Sequence, residues 1–248
     1  MLSLEGVLFV YLAYACLPRE VPVSQGLPLA WGLWGLWCGY AVERWLDVSF
    51  TSEGVVTWRH RFHRASMGGL LLGAVVWILF LIKVSPELPL ATWNHGATWA
   101  WMALGGVVIL LPQFYRSFAV WALRAVLMSG LFAFMVNGFN FKGPWEVSVS
   151  VGFLAFANLA SVRRSELTRP GNFFSWTAPL AMTVGLLTAY VGAASYRWLA
   201  FATVWGGFGL WVLERQSAEE DLERYRARVD GITLLALGLS AIAVRLAI

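Results

Sequence analysis

The sequence predicts an all-α, polytopic membrane protein with about nine transmembrane helices in a single domain spanning residues 1–248. Two features of the composition indicate this fold class. Hydrophobic residues make up 59% of the chain and charged residues only 13%, proportions that exclude an ordinary soluble globular domain. The chain also contains 15 tryptophans, a residue that concentrates where the hydrocarbon of a bilayer meets the head groups.

The charge-free runs divide the chain into nine spans, since about 20 apolar residues cross a bilayer and fewer suffice where flanking side chains snorkel. The first run lacks a basic leader and an obvious cleavage site, so we expect it to be retained as a helix. The predicted spans are Gly6 to Pro18, Pro28 to Leu46, Ala65 to Ile82, Thr98 to Pro112, Ala119 to Gly138, Val147 to Val162, Phe174 to Ala194, Trp198 to Leu213 and Gly231 to Ile248.

The distribution of basic residues predicts the orientation. The connections after the second, fourth, sixth and eighth spans carry most of the Lys and Arg residues, and such loops stay cytoplasmic. We therefore expect a cytoplasmic N-terminus and an outer C-terminus. The net charge of +4 accordingly indicates topology rather than nucleic-acid binding.

The predicted cytoplasmic connections lie near residues 48–64, 163–173 and 214–230. In the last of them, acidic residues precede basic ones between Ser217 and Arg228, which is typical of a short helix on the membrane surface. Glu214 and Asp230, at the two ends of this connection, are interpreted as helix-terminal partners rather than ligands. Lys142 and Glu146 are predicted to lie on the opposite side of the membrane.

Polar residues at the cytoplasmic ends of two spans are the candidate site, because ionisable groups in membrane helices are costly and mark function. On the second span, Tyr40, Glu43 and Asp47 share one helical face. On the sixth, Asn158 and Glu166 share a face, and Arg163 and Arg164 lie next to that carboxylate. Carboxylates that converge from two helices suit a magnesium-bridged diphosphate.

The segment from Arg59 to Arg64 places five cationic or titratable side chains immediately before the third span, an arrangement suited to an anion at the interface. The alternative is a positive anchor that contacts lipid head groups. A zinc site at His60 and His63 is disfavoured because no third ligand lies nearby in sequence.

Other features have simpler interpretations. Cys16 and Cys38 lie in apolar runs without metal-ligand spacing and are expected to pack as thiols. The glycine pairs inside spans, such as Gly206-Gly207, are expected to permit close helix packing. The sequence contains no P-loop, dinucleotide fingerprint or His-Glu-x-x-His zinc motif.

These motifs resemble those of the UbiA superfamily of intramembrane prenyltransferases. The family motif Asn-Asp-x-x-Asp-x-x-x-Asp matches the second span at Gly39, Tyr40, Glu43 and Asp47. The second family motif, Asp-x-x-x-Asp-x-x-x-Asp, falls on Asn158, Val162 and Glu166. The chain is still more similar to a UbiA-like branch of bacterial membrane proteins with a Tyr-x-x-Asp-Arg-x-x-Asp helix end, a following Arg-His-Arg-Phe-His segment and an Asp, here Asp230, that opens the last helix.

The resemblance implies a bundle around a central cavity in the bacterial inner membrane. An isoprenyl diphosphate would bind at the cytoplasmic mouth and donate its prenyl group to a lipophilic acceptor with the help of magnesium. Membrane lipids are further expected partners, and nucleic acid is not. By this resemblance Asp47 and Glu43 are catalytic, and the metal ligands are Glu43, Asp47, Asn158 and Glu166. The implied substrate contacts are Tyr40, Arg44, Arg59, His60, Arg61, His63, Asn158, Arg163 and Arg164.

Departures from the motifs leave two alternatives open. Tyr40 stands where the family has Asp, and Val162 removes a ligand, so the remaining carboxylates suffice for one magnesium ion rather than two. One alternative is a non-catalytic protein that binds isoprenoids or lipids on the same fold. The other is a transporter, for which charges at mid-depth or an inverted repeat would be expected.

Overall fold

The described part of the chain is almost entirely helical. The computed structural model describes residues 5–18, 33–39, 42, 73, 75, 76, 79, 103, 106, 118–137, 144–166, 172–216 and 222–246. Within these ranges the helices are α1 (Glu5–Ala15), α2 (Phe118–Val136), α3 (Trp145–Glu166), α4 (Asn172–Val191), a 3₁₀ turn (Ala194–Tyr196), α5 (Arg197–Gln216) and α6 (Leu222–Leu246). Residues 33–39 are also helical, and the described residues include no strand. The all-α prediction is thus confirmed, whereas most of the second, third and fourth predicted spans lies outside the described residues.

Four of the helices are long and apolar enough to cross a membrane: Phe118–Val136, Trp145–Arg164, Phe174–Val191 and Glu223–Leu246. Their outward faces carry large apolar side chains. Leu186 and Leu187 on α4 and Leu239 on α6 are each more than half exposed. So much exposed apolar surface is costly in water and favourable in hydrocarbon, which supports an integral membrane protein.

Helix α3 lies at the centre of the described bundle and packs against α2, α4, α5 and α6. Contacts between the helices show whether α5 and α6 run parallel or antiparallel to α3. Ser150 and Thr203 meet near the starts of α3 and α5, and Ser161 and Glu214 meet near their ends, so these two helices run parallel. Asn158 on α3 contacts Asp230 on α6, and the earlier Leu154 and the later Ala236 both approach Gly206, so α6 runs antiparallel to α3. The ends of α3 and α5 and the start of α6 therefore lie together, and we call this the arginine-rich end.

Glycines bring α4 and α5 into close contact. A methyl group at Gly185 would lie 2.9 Å from the Ala200 carbonyl oxygen and 2.9 Å from Cγ2 of Val204. A methyl group at Gly207 would lie 3.0 Å from the Ala178 carbonyl oxygen. Because only glycine leaves room for backbone at these distances, the prediction that the Gly206-Gly207 pair permits close packing is confirmed.

The last helix begins at Leu222, nine residues before the predicted span, and so a separate surface helix between Ser217 and Arg228 is wrong for residues 222–228. The physical reason is packing. Tyr225 and Val229, four residues apart on one face, are buried against Ala157 of α3 and Leu210 of α5. This apolar stripe continues the transmembrane helix through a segment whose other faces are charged.

Buried cysteines behave as the composition predicted. Cys16 and Cys38 are both free thiols with buried side chains. The Cys16 Sγ atom donates to the carbonyl oxygen of Leu237 on α6 at 3.4 Å, and the ring of Phe9 lies 5.5 Å from that of Phe132 on α2. These contacts hold α1 against the α2 and α6 side of the bundle.

Candidate functional site

Asn158 joins α3 to α6 at the arginine-rich end. Its Nδ2 atom donates to Thr233 Oγ1 at 3.0 Å and to Asp230 Oδ1 at 3.4 Å. Thr233 is almost fully buried, and its hydroxyl in turn donates to the Asp230 carbonyl oxygen at 2.9 Å. The amide oxygen of Asn158 takes no part in these bonds. The Asn158 amide and the Asp230 carboxylate, which come from different helices, are thus held next to each other, with the amide nitrogen facing the carboxylate.

Glu214 joins α5 to α3 at the same end. Its Oε1 atom accepts a short hydrogen bond from the Ser161 hydroxyl, and its Oε2 atom accepts one from Arg164 Nη1 at 2.8 Å. The Glu214 side chain is only 2% exposed. Both carboxylate oxygens are therefore engaged, as a buried carboxylate requires.

The same environment sets the protonation of Glu214, which lies one residue beyond the predicted span Trp198 to Leu213. Burial is the dominant influence and raises the pKa of its carboxyl above the ordinary value, while the hydrogen bond from Ser161 and the charge of Arg164 oppose the rise. The ionised form of Glu214 thus depends on these two partners.

The described residues include only part of the predicted site. Asn158, Arg163 and Arg164 lie on the last three turns of α3, and the backbone of Glu166 ends that helix. The other predicted residues lie outside the described ranges; they are Tyr40, Glu43, Arg44, Asp47, Arg59, His60, Arg61 and His63.

Of the predicted magnesium ligands, Asn158 is the one whose side chain lies within the described residues. Its amide and the neighbouring Asp230 carboxylate, which was not predicted as a ligand, carry the hard oxygen atoms that magnesium prefers. Within the described ranges, however, no group of three His, Cys, Asp or Glu residues is placed to hold a metal ion. Val162 packs against the buried cluster of Tyr225 and Val229 and cannot contribute a ligand. A complete magnesium site would therefore need Glu43 and Asp47, which remain predictions.

Sequence reasoning interpreted Glu214 and Asp230 as helix-terminal partners. Glu214 does lie near the end of α5 and pairs with α3, whereas Asp230 lies inside α6, which begins at Leu222, and contacts Asn158 from there. Sequence reasoning did not single out Ser161 or Thr233. Ser161 lies three residues from Asn158 and Thr233 three residues from Asp230, so each shares a helical face with a polar residue already noted. This spacing is the feature of the sequence that could have identified Ser161 and Thr233.

The opposite end of the bundle has a polar contact of its own. Glu146, in the first turn of α3, accepts a hydrogen bond at Oε1 from the backbone N–H of Ala193 at 3.0 Å. Asn137 Nδ2 donates to Ser148 Oγ nearby in the chain at 2.8 Å. Glu146 thus stabilises the turn between α4 and α5, away from the arginine-rich end as predicted.

No family model matches the chain, and neither a curated protein nor a solved structure matches it.

Proposed function

We propose that the protein is an intramembrane prenyltransferase that transfers a prenyl group from an isoprenyl diphosphate to a lipophilic acceptor at the arginine-rich end. The observation that carries the proposal is the contact between Asn158 and Asp230. The second motif has lost its acidic residues at positions 158 and 162, and the Asp230 carboxylate of α6 lies 3.4 Å from Asn158. A neighbouring helix therefore supplies an acid next to the position where the motif lacks one.

Some residues of this chain would bind magnesium, and others would bind the phosphates of the diphosphate directly. Asp230 would hold magnesium together with Glu43 and Asp47, and Asn158 would join them once its amide turns so that the oxygen faces the ion. Magnesium would neutralise charge on the diphosphate. Arg164 donates to Glu214 through Nη1, yet its side chain is 27% exposed. Guanidinium groups carry five N–H donors, so a residue already paired with a carboxylate retains donors for a phosphate.

An aromatic cluster at the same end suits the apolar part of such a substrate. The Trp121 ring of α2 lies 5.3 Å from Phe174 of α4 and 6.3 Å from Phe156 of α3, and Phe118 lies 6.0 Å from Phe174. Phe118 is more than half exposed. A prenyl chain gains free energy by leaving water for such rings.

A second candidate function is non-catalytic binding of an isoprenoid or lipid. The observation that favours it is the pairing of Glu214, whose two oxygens are both taken by Ser161 and Arg164. In the described ranges the acidic side chains at this end therefore stabilise helix contacts. This candidate requires that ligand binding survive without magnesium and that no pyrophosphate be released.

The experiment measures binding of a non-hydrolysable geranylgeranyl diphosphate analogue to the purified protein in detergent, with and without magnesium. Asp47→Asn and Asp230→Asn are compared with Glu223→Gln, a matched loss of one carboxylate from the same end of α6. The proposal expects magnesium-dependent binding that both Asn variants weaken and the control retains. Binding indifferent to magnesium and to both variants would support the second candidate, and no binding would contradict both.

Turnover is then measured as release of pyrophosphate from the hydrolysable substrate in the presence of a panel of lipophilic acceptors. Acceptor-dependent release that Asp47→Asn abolishes would support the transferase. Binding without release across the panel would favour the non-catalytic candidate.

A further inference from the structure

Helix α5 carries a continuous aromatic stripe, which we define as Trp198, Phe201, Trp205, Phe208 and Trp211. Successive rings touch along much of its length: Trp198 and Phe201 are 6.0 Å apart, Trp205 and Phe208 6.5 Å, and Phe208 and Trp211 6.0 Å. Trp205 is 63% exposed. The three- and four-residue steps place all five rings on one side of the helix.

The exposed rings of the stripe, Trp205 and Phe208, face away from the buried side of α5, whereas Trp211 is partly buried against the cluster of Tyr225 and Val229. The other side of α5 is buried through Leu199, Thr203 and Leu210, and Gly206 approaches Leu154 of α3. Glu214, which belongs to that buried side, points to Ser161 and Arg164. A ligand on the stripe would therefore be separate from a diphosphate near Asn158.

Arg215 ends the stripe at the arginine-rich end. Its guanidinium carbon lies 4.2 Å from the centroid of the Trp211 ring, a cation–π contact. Stacking uses the flat face of the guanidinium and leaves the N–H donors at its edge directed outward. Arg215 is exposed, and no carboxylate of the described residues pairs with it. Its guanidinium is thus held in a fixed orientation by the ring.

The length of the stripe fits one leaflet of a bilayer. From Arg215 to Trp205 the helix rises about 15 Å, which is half of the roughly 30 Å hydrocarbon core. A phosphate at Arg215 would place the adjoining acyl chain along Trp211, Phe208 and Trp205. Tryptophan and arginine also favour the head-group level at which this arrangement needs them.

We infer that the aromatic stripe and Arg215 form a binding site for an anionic phospholipid, with the lipid phosphate at the guanidinium edge and an acyl chain along the rings. The positive charge of Arg215 selects an anionic over a zwitterionic lipid. The stacking on Trp211 orders the guanidinium before the lipid arrives, so less conformational entropy is lost on binding.

The test reconstitutes the protein in nanodiscs of phosphatidylcholine that contain a minor fraction of phosphatidylglycerol brominated on its acyl chains. Bromine quenches the fluorescence of a nearby tryptophan. The difference in quenching between wild type and Trp205→Phe therefore measures the lipid bound at the stripe. Arg215→Gln is expected to lower the preference for phosphatidylglycerol about fivefold, the change that corresponds to about 1 kcal/mol for one basic residue near an anionic surface. Arg215→Lys keeps the charge but loses the planar guanidinium, and its preference for phosphatidylglycerol should lie between those of wild type and Arg215→Gln.

Arg245→Gln is the matched control, because Arg245 is also an exposed arginine in the last turn of a helix but lies at the opposite end of the bundle. The preference should survive in this variant. Quenching at Trp205 that is equal for brominated phosphatidylcholine and phosphatidylglycerol would overturn the inference, as would a preference unchanged in Arg215→Gln. Displacement of the brominated lipid by a geranylgeranyl diphosphate analogue would also overturn it, since the stripe would then belong to the isoprenoid site.

Discussion

Arg164 and Glu214 form an ion pair of 2.8 Å whose two members differ in their exposure to solvent. The carboxylate is 2% exposed and the guanidinium 27% exposed. A charge that is already partly hydrated loses little when its partner is removed, whereas a buried charge cannot be left unpaired without a large desolvation cost. The pair joins α3 to α5, and removing Arg164 should therefore cost more stability than removing Glu214.

The asymmetry predicts a double-mutant cycle. Arg164→Gln leaves the buried Glu214 carboxylate with Ser161 as its remaining partner and should destabilise the protein by about 2 kcal/mol, less than for a fully buried pair because Arg164 is partly hydrated. Glu214→Gln should cost less, and the double variant should recover most of the loss. Apparent unfolding midpoints in one detergent provide the ranking. Equal losses in the two single variants that add in the double variant would contradict the asymmetry.

The same pair predicts a pH dependence. Burial raises the pKa of Glu214 above its ordinary value, so the folded state binds this proton more tightly than the unfolded state does. The stabilisation that this tighter proton binding provides is therefore lost as the pH rises from the ordinary carboxyl pKa through the raised pKa of Glu214. Arg164→Gln removes an influence that lowers this pKa and should make the loss steeper, while Glu214→Gln should flatten the profile. Unfolding midpoints measured across pH for the three proteins test the sign.

Close packing of α4 against α5 makes a prediction at Gly185. In Gly185→Ala the added methyl group would lie 2.9 Å from the Ala200 carbonyl oxygen, which is backbone and cannot move aside alone. The helices must separate, at an expected cost of about 1–3 kcal/mol. Gly238→Ala on α6 is the matched control, because no atom lies within 4 Å of its added methyl group. The control should be neutral or slightly stabilising, since alanine favours helix. Similar unfolding midpoints for the two variants would contradict the close approach.

The sequence predicted local features better than contacts between helices. A glycine pair inside a span already indicates close packing, and the structure has it at Gly207. The start of α6 was predicted too late because the charges between residues 222 and 228 mask the buried positions Tyr225 and Val229. The contact of Asn158 with Asp230 joins residues 72 positions apart, and no spacing rule reports which helices are neighbours. The polar residues on α3 and Asp230 itself could therefore be noted from the sequence, but the contact between Asn158 and Asp230 could not.

Glu146 makes a prediction for the far end of the bundle. Its Oε1 atom accepts from the Ala193 N–H, and Glu146→Ala leaves that donor without its partner, at a cost of about 1–2 kcal/mol. Glu146→Gln keeps an acceptor oxygen and should remain near the wild-type stability. Neither variant should change binding of the diphosphate analogue, because the contact lies at the opposite end of α3. A binding defect in the stable Gln variant would show that the two ends are coupled.

The sharpest prediction separates two substitutions that the family motif alone treats alike. Asn158→Asp and Val162→Asp each introduce an acidic residue at a position where the second UbiA motif has one. Only position 158 lies next to a carboxylate, with Asn158 Nδ2 and Asp230 Oδ1 at 3.4 Å, whereas Val162 packs against the cluster of Tyr225 and Val229. Two carboxylates at that distance repel each other and are held together by a divalent cation.

We therefore expect Asn158→Asp to be less stable than wild type without magnesium and to regain stability as magnesium is added, because the ion binds the folded state preferentially. Val162→Asp should be destabilised whether or not magnesium is present, because its carboxylate enters an apolar contact. Unfolding midpoints are measured over a magnesium titration, with sodium at matched ionic strength as the control for screening. A magnesium response in Val162→Asp but not in Asn158→Asp would mean that the metal-binding face of α3 is not the one that faces Asp230 of α6, and the proposed site would have to be abandoned.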